Sequence, residues 1–284
     1  MVNTSILTVD LSCFFNEGHE DDKKKAREII SHAPMHVLNM DSFRLSHLPL
    51  PGGFDRPPEQ LANKNEYFTI FHPESGSNLY PNDLPEFREV TEQIFHQFTE
   101  TGLLVETIVN DCFGLPPKFL QEYNNDRNWD SLVALRYLPA TDIGNTGLGA
   151  HQDANVLTFL FQDQVGGLEV LKDRGWIPIV PTEGSIIVNL GDVVQVLSNN
   201  KFKSAIHRVV RPEGKFRHSY GFFYTLEGNK WVEPSPSITE DIGVPAQYRG
   251  FFYKDYQQLR IRNKTHLHSR PEDVIHITHY AITS

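Results

Sequence analysis

Two histidines and an aspartate stand where they could share a metal ion: His151 and Asp153, spaced as His-x-Asp in LGAHQDANVLTFLF, and His207 in KSAIHRVVRP. Two imidazoles and one carboxylate can hold one face of a non-haem Fe(II), leaving the opposite positions open for a co-substrate and O2. Farther on, Arg217 and Ser219 lie two residues apart and so share one face of an expected strand. A guanidinium and a hydroxyl presented together suit a distant carboxylate. The chemistry this set points to is oxidative.

The tripeptide alone is weak evidence, because a chain with 13 histidines produces His-x-Asp by chance, and His19-Glu20-Asp21 is such a copy. That copy sits in a charged, turn-like stretch and is assigned to solvent. His151 and Asp153 differ in context. A glycine-rich loop, Gly144 to Gly149, precedes them, and the apolar strand Val156 to Phe161 follows, so both side chains are expected to point inward from a strand's mouth. His207 by itself would read as a core histidine; its company favours a ligand. Arg217 has a bland reading as a solvated strand end, but Ser219 and the apolar Gly221-Phe222-Phe223-Tyr224 make it a buried cation that needs an anion.

Strand-like runs that would position these residues fall at 131–138, 155–162, 168–171, 176–179, 185–190, 193–197, 206–211 and 219–225, separated by Gly, Asn, Asp and Pro turn signals. About eight strands at that spacing read as a sandwich or jelly roll. Upstream, apolar residues from Phe87 to Cys112 recur at helical spacing between Pro85 and Gly114-Leu115-Pro116-Pro117, which predicts a long buttressing helix. A short strand is expected at 5–11, a charged helix from Asp21 to Ile30, and a helix at Asp255–Arg262. The proline-rich stretch from Ala33 to Pro85 predicts few regular elements.

Composition narrows the partners. Of 284 residues, 36 are acidic and 26 basic, a formal charge of −10, and no basic run exceeds Lys23-Lys24-Lys25, so no nucleic-acid footprint is expected. Two cysteines, Cys13 and Cys112, suit a reducing compartment, and no segment reads as a membrane span or signal peptide. The expectation is a cytoplasmic monomer that binds a small molecule and O2, with no membrane partner.

Residues Leu132 to Thr225 resemble the plant and fungal 2-oxoglutarate- and Fe(II)-dependent dioxygenases, which include the isopenicillin N synthase-like enzymes. The likeness rests on GLGAHQDANVLTFLFQDQVGGLEVL, VNLGDVVQVLSNNKFKSAIHRVV and HSYGFFY. It implies a mainly β fold with flanking helices and a double-stranded β-helix core at 126–284, behind an N-terminal helical and irregular region at 1–125. It further implies iron held by His151, Asp153 and His207, and 2-oxoglutarate held by Arg217 and Ser219. No catalytic residue beyond the metal ligands is implied; ascorbate is the reductant, and succinate and CO2 are products. The expected substrate is a small, largely apolar plant specialised metabolite or hormone. Candidate pocket walls are Phe159, Phe161 and Phe223, or their opposite-face neighbours.

Two departures stand against the resemblance. Many members carry Asn-x-Tyr-Pro before the iron motif, where this chain reads Arg136-Tyr137-Leu138-Pro139, so the tyrosine is expected to be lost at Leu138. Members also follow their first helix with a strand like Gly-Phe-Phe-x-Val-x-Asn-His-Gly. Here Ser31-His32-Ala33 runs into Pro34-Met35-His36, and the N-terminal region reads as shortened. Two alternatives stay open: a catalytically impaired jelly-roll binding protein or splice form, and a related oxidase that does not use 2-oxoglutarate.

Overall fold

The alternation spelled from Ser131 onward builds two packed β-sheets in the computed structural model, which describes residues 8–10, 20, 21, 24, 35–39, 65–78, 80, 85–141, 144–265 and 274–282. Strands β1 (Thr8–Asp10), β2 (Met35–Asn39) and β3 (Asn65–Phe71) precede the long helix α1 (Pro85–Phe113) and the short α2 (Phe119–Tyr123). β4 (Ser131–Tyr137), β5 (Thr146–His151), β6 (Leu157–Gln162), β7 (Leu168–Lys172), β8 (Gly175–Pro178) and β9 (Ser185–Leu190) follow. Helix α3 (Asp192–Leu197) then leads to β10 (His207–Val210) and β11 (Arg217–Tyr224). The tail carries β12 (Trp231–Val232), α4 (Pro236–Ile242), β13 (Phe251–Phe252) and α5 (Tyr253–Thr265). The larger sheet runs β1-β2-β9-β6-β11-β4-β3 and the smaller β5-β10-β7-β8, the expected jelly-roll sandwich with flanking helices. Among the described residues no helix is long and apolar enough to cross a membrane.

The pleat divides the larger sheet into two faces with different tasks. Phe222 and Tyr224 of β11, Phe159 and Phe161 of β6 and Leu132 of β4 pack with Phe95, Phe98, Val105 and Ile108 of α1. Phe98 stacks on Phe222 with centroids 5.1 Å apart, and Phe161 meets Phe98 edge-on at 5.5 Å. Each such buried ring contributes roughly 2–3 kcal/mol. The intervening residues face the smaller sheet, where Tyr137 and Ile187 join Leu168, Val170 and Val209 in a second core flanked by Leu135, Leu148 and Leu160.

Several local expectations are corrected. The run 193–197 is not a strand: α3 starts at Asp192 after Gly191, and all six of its residues are buried. Val-Val-x-Val carries strand propensity, but propensity yields to tertiary packing, and burial all round removes the periodicity that separates the two states. Gly191 is needed there because a Cβ would fall 1.9 Å from the Asn155 carbonyl oxygen. The stretch read as a glycine-rich loop holds β5, paired antiparallel to β10. Its Gly147 marks a close approach, since a Cβ would lie 2.8 Å from the Tyr137 ring. Among its described residues the 33–85 stretch, expected to hold few regular elements, carries two strands. β3, rich in aromatic and β-branched residues, pairs with β4, and β2 runs parallel to β1 and antiparallel to β9. A strand therefore does occupy the sheet position next to β9, supplied by Met35–Asn39 directly after Pro34. Glu20, Asp21 and Lys24 are helical and exposed, whereas His19 and Cys13 lie outside the described residues.

Behind α1 lies a buried polar cluster. Glu106 of α1 accepts from Asn124 Nδ2 at 3.2 Å, Asp130 accepts from the Thr225 N–H at 2.8 Å, and Arg127 covers the Tyr224 ring with its Cζ 3.8 Å from the centroid. Burial pushes both carboxyls up to about 7, against the pull of the single Arg127 guanidinium; Asp126 and Asp130's own neighbour Glu106 add to the rise at Asp130. A folded-state pKa above the unfolded value contributes stability that is full at low pH and lost as pH climbs from about 4.5 through about 7. Glu106→Gln, which cannot ionise, should therefore be more stable than the parent chain at pH 8, by on the order of 1–3 kcal/mol, with the difference vanishing near pH 5. Urea unfolding across that range measures it, and parallel profiles would refute it.

Candidate metal centre

His151 and His207 face each other because β5 ends where β10 begins, with His207 paired to His151 in the antiparallel ladder. Asp153 is not on the strand with His151, as the sequence suggested. It lies in the connection to β6 and turns back toward both rings. One donor atom from each of the three residues lies within 4.8 Å of the others, the grouping a metal ion needs. Asp153 Oδ1 is 3.6 Å from His151 Nε2 and 3.7 Å from His207 Nε2.

The remaining polar atoms of the three side chains are oriented by the fold. His151 Nδ1 lies 2.8 Å from the Gly149 carbonyl and His207 Nδ1 lies 3.0 Å from the Ala205 carbonyl. A carbonyl only accepts, so both rings carry an N–H on Nδ1, and Nε2 is the ring atom that faces inward and would bind a metal. Asp153 Oδ2 accepts from Thr158 Oγ1 and from Asn189 Nδ2, each at 2.8 Å, which leaves Oδ1 toward the histidines. Burial alone would raise the Asp153 pKa, but the two imidazoles and these two hydrogen bonds hold it below the usual carboxylate range. The donor set, two imidazole nitrogens and one carboxylate oxygen, fits a 2-His-1-carboxylate Fe(II) site.

Arg217 and Ser219 lie on the face of β11 turned to the smaller sheet. Arg217 is fully buried, and its guanidinium donates to Gly166 O at 2.5 Å, Ser219 Oγ at 2.8 Å and Gln162 Oε1 at 3.2 Å. No carboxylate among the described residues forms an ion pair with it, and burial lowers its pKa. Asp163, a carboxylate that acts on it electrostatically, is engaged by the His218 backbone N–H at 2.6 Å. Arg211, also buried, instead donates to the backbone carbonyls of Thr146, Pro139 and Gly144 and ties β5 to the chain before it.

The register of β4 overturns the expected loss of the tyrosine. Tyr137 pairs with Arg217, so its ring lies on the Arg217 face, 4.9 Å from the guanidinium, with its hydroxyl among Asn65, Ser219 and Arg217. Arg136 points the other way, where it pairs with Glu66 at 3.2 Å and covers Phe216. Leu138 lies beyond the strand's end. Anchoring the motif on Pro139 misplaced it by one residue, and a one-residue slip reverses every face. The pocket-wall expectation divides in the same way: Phe159 and Phe161 are in the α1 core, whereas half-buried Phe223 and the neighbours Thr158, Leu160 and Gln162 are on the site face.

The sequence reading missed Asn189, Thr158, Tyr137 and Gln162. Their only signal is that they alternate into register with Ser219 and Arg217 across β4, β6 and β9, which a single sequence does not print. His207→Ala should abolish binding of Co(II) used as a probe ion, while Asn189→Ala, which frees Asp153 Oδ2, should weaken it about tenfold. Calorimetric titration reads both; full affinity in His207→Ala would remove the site.

Comparison with known proteins agrees with this geometry. Residues 129–226 match the 2OG-Fe(II) oxygenase superfamily. Protein DMR6-LIKE OXYGENASE 2 of Arabidopsis thaliana is 32% identical over 212 residues, covering 73% of this chain and 60% of the relative. The 1-aminocyclopropane-1-carboxylate oxidase 1 of Oryza sativa subsp. japonica is 40% identical over 119 residues, or 42% of this chain and 37% of the relative. The chain thus spans less than two thirds of the length of these curated relatives. Among solved structures, the rice dioxygenase for auxin oxidation superposes with a TM-score of 0.75 at 23% identity, covering 98% of this chain and all of that one, which supports the fold. From the matched segment, the curated relatives and the shared jelly roll together, the chain belongs to the 2OG-Fe(II) oxygenase superfamily, in its plant-type branch.

Proposed function

We propose that this chain is an Fe(II)- and 2-oxoglutarate-dependent dioxygenase that oxidises a small, largely apolar metabolite or hormone by hydroxylation, demethylation, desaturation or ring closure. The observation that carries the reading is the convergence of His151 Nε2, His207 Nε2 and Asp153 Oδ1, with the other polar atoms of these side chains held elsewhere. His151, Asp153 and His207 would hold the iron through Nε2, Oδ1 and Nε2. Arg217, Ser219 and Tyr137 receive the far carboxylate of 2-oxoglutarate, a planar fork and two hydroxyls matched to one anion. Bound iron supplies the O2 chemistry that converts 2-oxoglutarate to succinate and CO2, with ascorbate as reductant. Leu135, Leu160 and Phe223 exclude water and offer an apolar wall to the substrate.

Support for the division into a shortened N-terminal region at 1–125 and an oxygenase region at 126–284 comes from the matched span, which begins at residue 129. The cytoplasmic, monomeric placement rests on cysteine usage and on the small-molecule character of the site. A second reading, an oxidase of the same fold in which Arg217 and Ser219 hold another anion, draws on the match to the 1-aminocyclopropane-1-carboxylate oxidase.

Succinate formed from 2-oxoglutarate by the purified chain with Fe(II), ascorbate and O2, in the presence of a metabolite extract, separates the two. The dioxygenase reading expects 2-oxoglutarate-dependent succinate; an extract-dependent O2 uptake without succinate would favour the oxidase. Arg217→Lys keeps the charge but loses the fork, so the 2-oxoglutarate KM should rise at least tenfold with metal affinity unchanged. Tyr137→Phe should raise that KM by about tenfold as well, through loss of a hydrogen bond to a charged group, whereas Leu138→Tyr should leave it unaltered. The reverse pattern at 137 and 138 would return the anion contact to the other face.

A further inference from the structure

We propose that Gln152 and Arg260 are positioning residues that brace the two metal-binding segments against each other and against the C-terminal helix; this rests on the reading of His151, Asp153 and His207 as ligands. The need for a brace follows from the ladder. His151 is the last residue of β5 and His207 the first of β10, so the pairing between these two strands stops at the ligands themselves. No strand pairing fixes the peptides at 152 and 153, and on the other side the β7 ladder reaches only the Ile206 carbonyl, which accepts from the Leu171 N–H at 2.8 Å, leaving Ser204 and Ala205 beyond it.

Gln152, the middle residue of His-x-Asp, spans that gap. Its Nε2 donates to the Ser204 carbonyl at 3.0 Å, one residue from Ala205, whose own carbonyl orients the His207 ring. The Ser204 N–H donates to Gln195 Oε1 on α3 at 2.8 Å, and Gln195 Nε2 donates to the Tyr248 hydroxyl at 2.7 Å. One amide thus cross-ties the segment holding His151 and Asp153 to the segment holding His207.

The second arm comes from α5. Arg260 Nη2 donates to the Gln152 carbonyl, and Arg260 Nη1 donates to the Ile275 carbonyl at 3.3 Å, so the C-terminal residues 274–282 join the brace. Four residues earlier, on the same helical face, Tyr256 donates its hydroxyl to Asp192 Oδ2 at 2.6 Å. The Asp192 N–H in turn donates to the Asp153 carbonyl at 2.8 Å. The carbonyls at 152 and 153 are therefore both restrained from the side of α5, one directly and one through α3. An exposed glutamine and an exposed arginine would be free to drift; both of these side chains are half-buried.

The full chain is titrated with Co(II), whose visible absorption reports ligand geometry, and the melting temperature of each metal-free protein is measured beside it. Gln152→Ala and Arg260→Met should each weaken Co(II) binding about tenfold and change the Co(II) spectrum while the metal-free melting temperature stays near that of the parent chain. Arg260→Lys, which still offers a donor to the Gln152 carbonyl, should recover most of the affinity. Unchanged affinity and spectrum in both Gln152→Ala and Arg260→Met would overturn the proposal. So would losses that follow the metal-free melting temperature in every variant, Arg260→Lys included, because the role would then be structural alone. If the parent chain bound no Co(II), the metal reading would fall and the brace with it; if the parent bound and the variants bound equally, only the brace would fall.

Discussion

The structure depends on one constraint: a β-strand sends successive side chains to opposite faces, and β11 uses both. Phe222 and Tyr224 anchor the larger sheet to α1, while Arg217 and Ser219, on the alternate positions, face the space between the sheets. Holding Phe222 against Phe95 and Phe98 therefore also fixes where the guanidinium points. The same parity carries across the ladder, setting Tyr137 opposite Arg217 and Gln162 opposite Ser219.

At the proposed metal site the governing interactions are hydrogen bonds that fix atoms rather than residues. Backbone carbonyls at 149 and 205 select the histidine tautomers, and Thr158 with Asn189 selects which carboxylate oxygen faces the rings. Burial would otherwise favour a neutral Asp153, which is a poor ligand. The facing imidazoles and the two donors outweigh that desolvation, so the carboxylate remains ionised in an apolar setting. The cluster around Glu106 and Asp130 shows the opposite balance: one guanidinium serves two carboxyls, and burial prevails.

The N-terminal third also belongs to this arrangement. β2 and β3 extend the larger sheet on both sides of its central strands, β2 beside β9 and β3 beside β4. Asn65 of β3 reaches the Tyr137 hydroxyl, so a strand outside the matched oxygenase span contributes to the surroundings of Arg217.

What the sequence determined by itself is what short-range pattern can encode. His-x-Asp with a distant histidine named the candidate donors, Arg-x-Ser named a candidate anion pair, and period-two runs ending in turn residues named a sandwich or jelly roll; the helical spacing from Phe87 to Cys112 named α1. Tertiary structure decided what depends on register and on enclosure. Whether Tyr137 or Leu138 meets Arg217 is a matter of one residue's slip between β4 and β11, which neither strand states alone. Whether Val193 to Leu197 coil or extend was settled by burial on every side, where propensity gives way to packing. Asn189 became visible as a partner of Asp153 only once β6 and β9 lay side by side, because a hydrogen bond between residues 36 positions apart leaves no local trace in the chain, and Thr158, five positions on, meets Asp153 only where the chain turns back before β6.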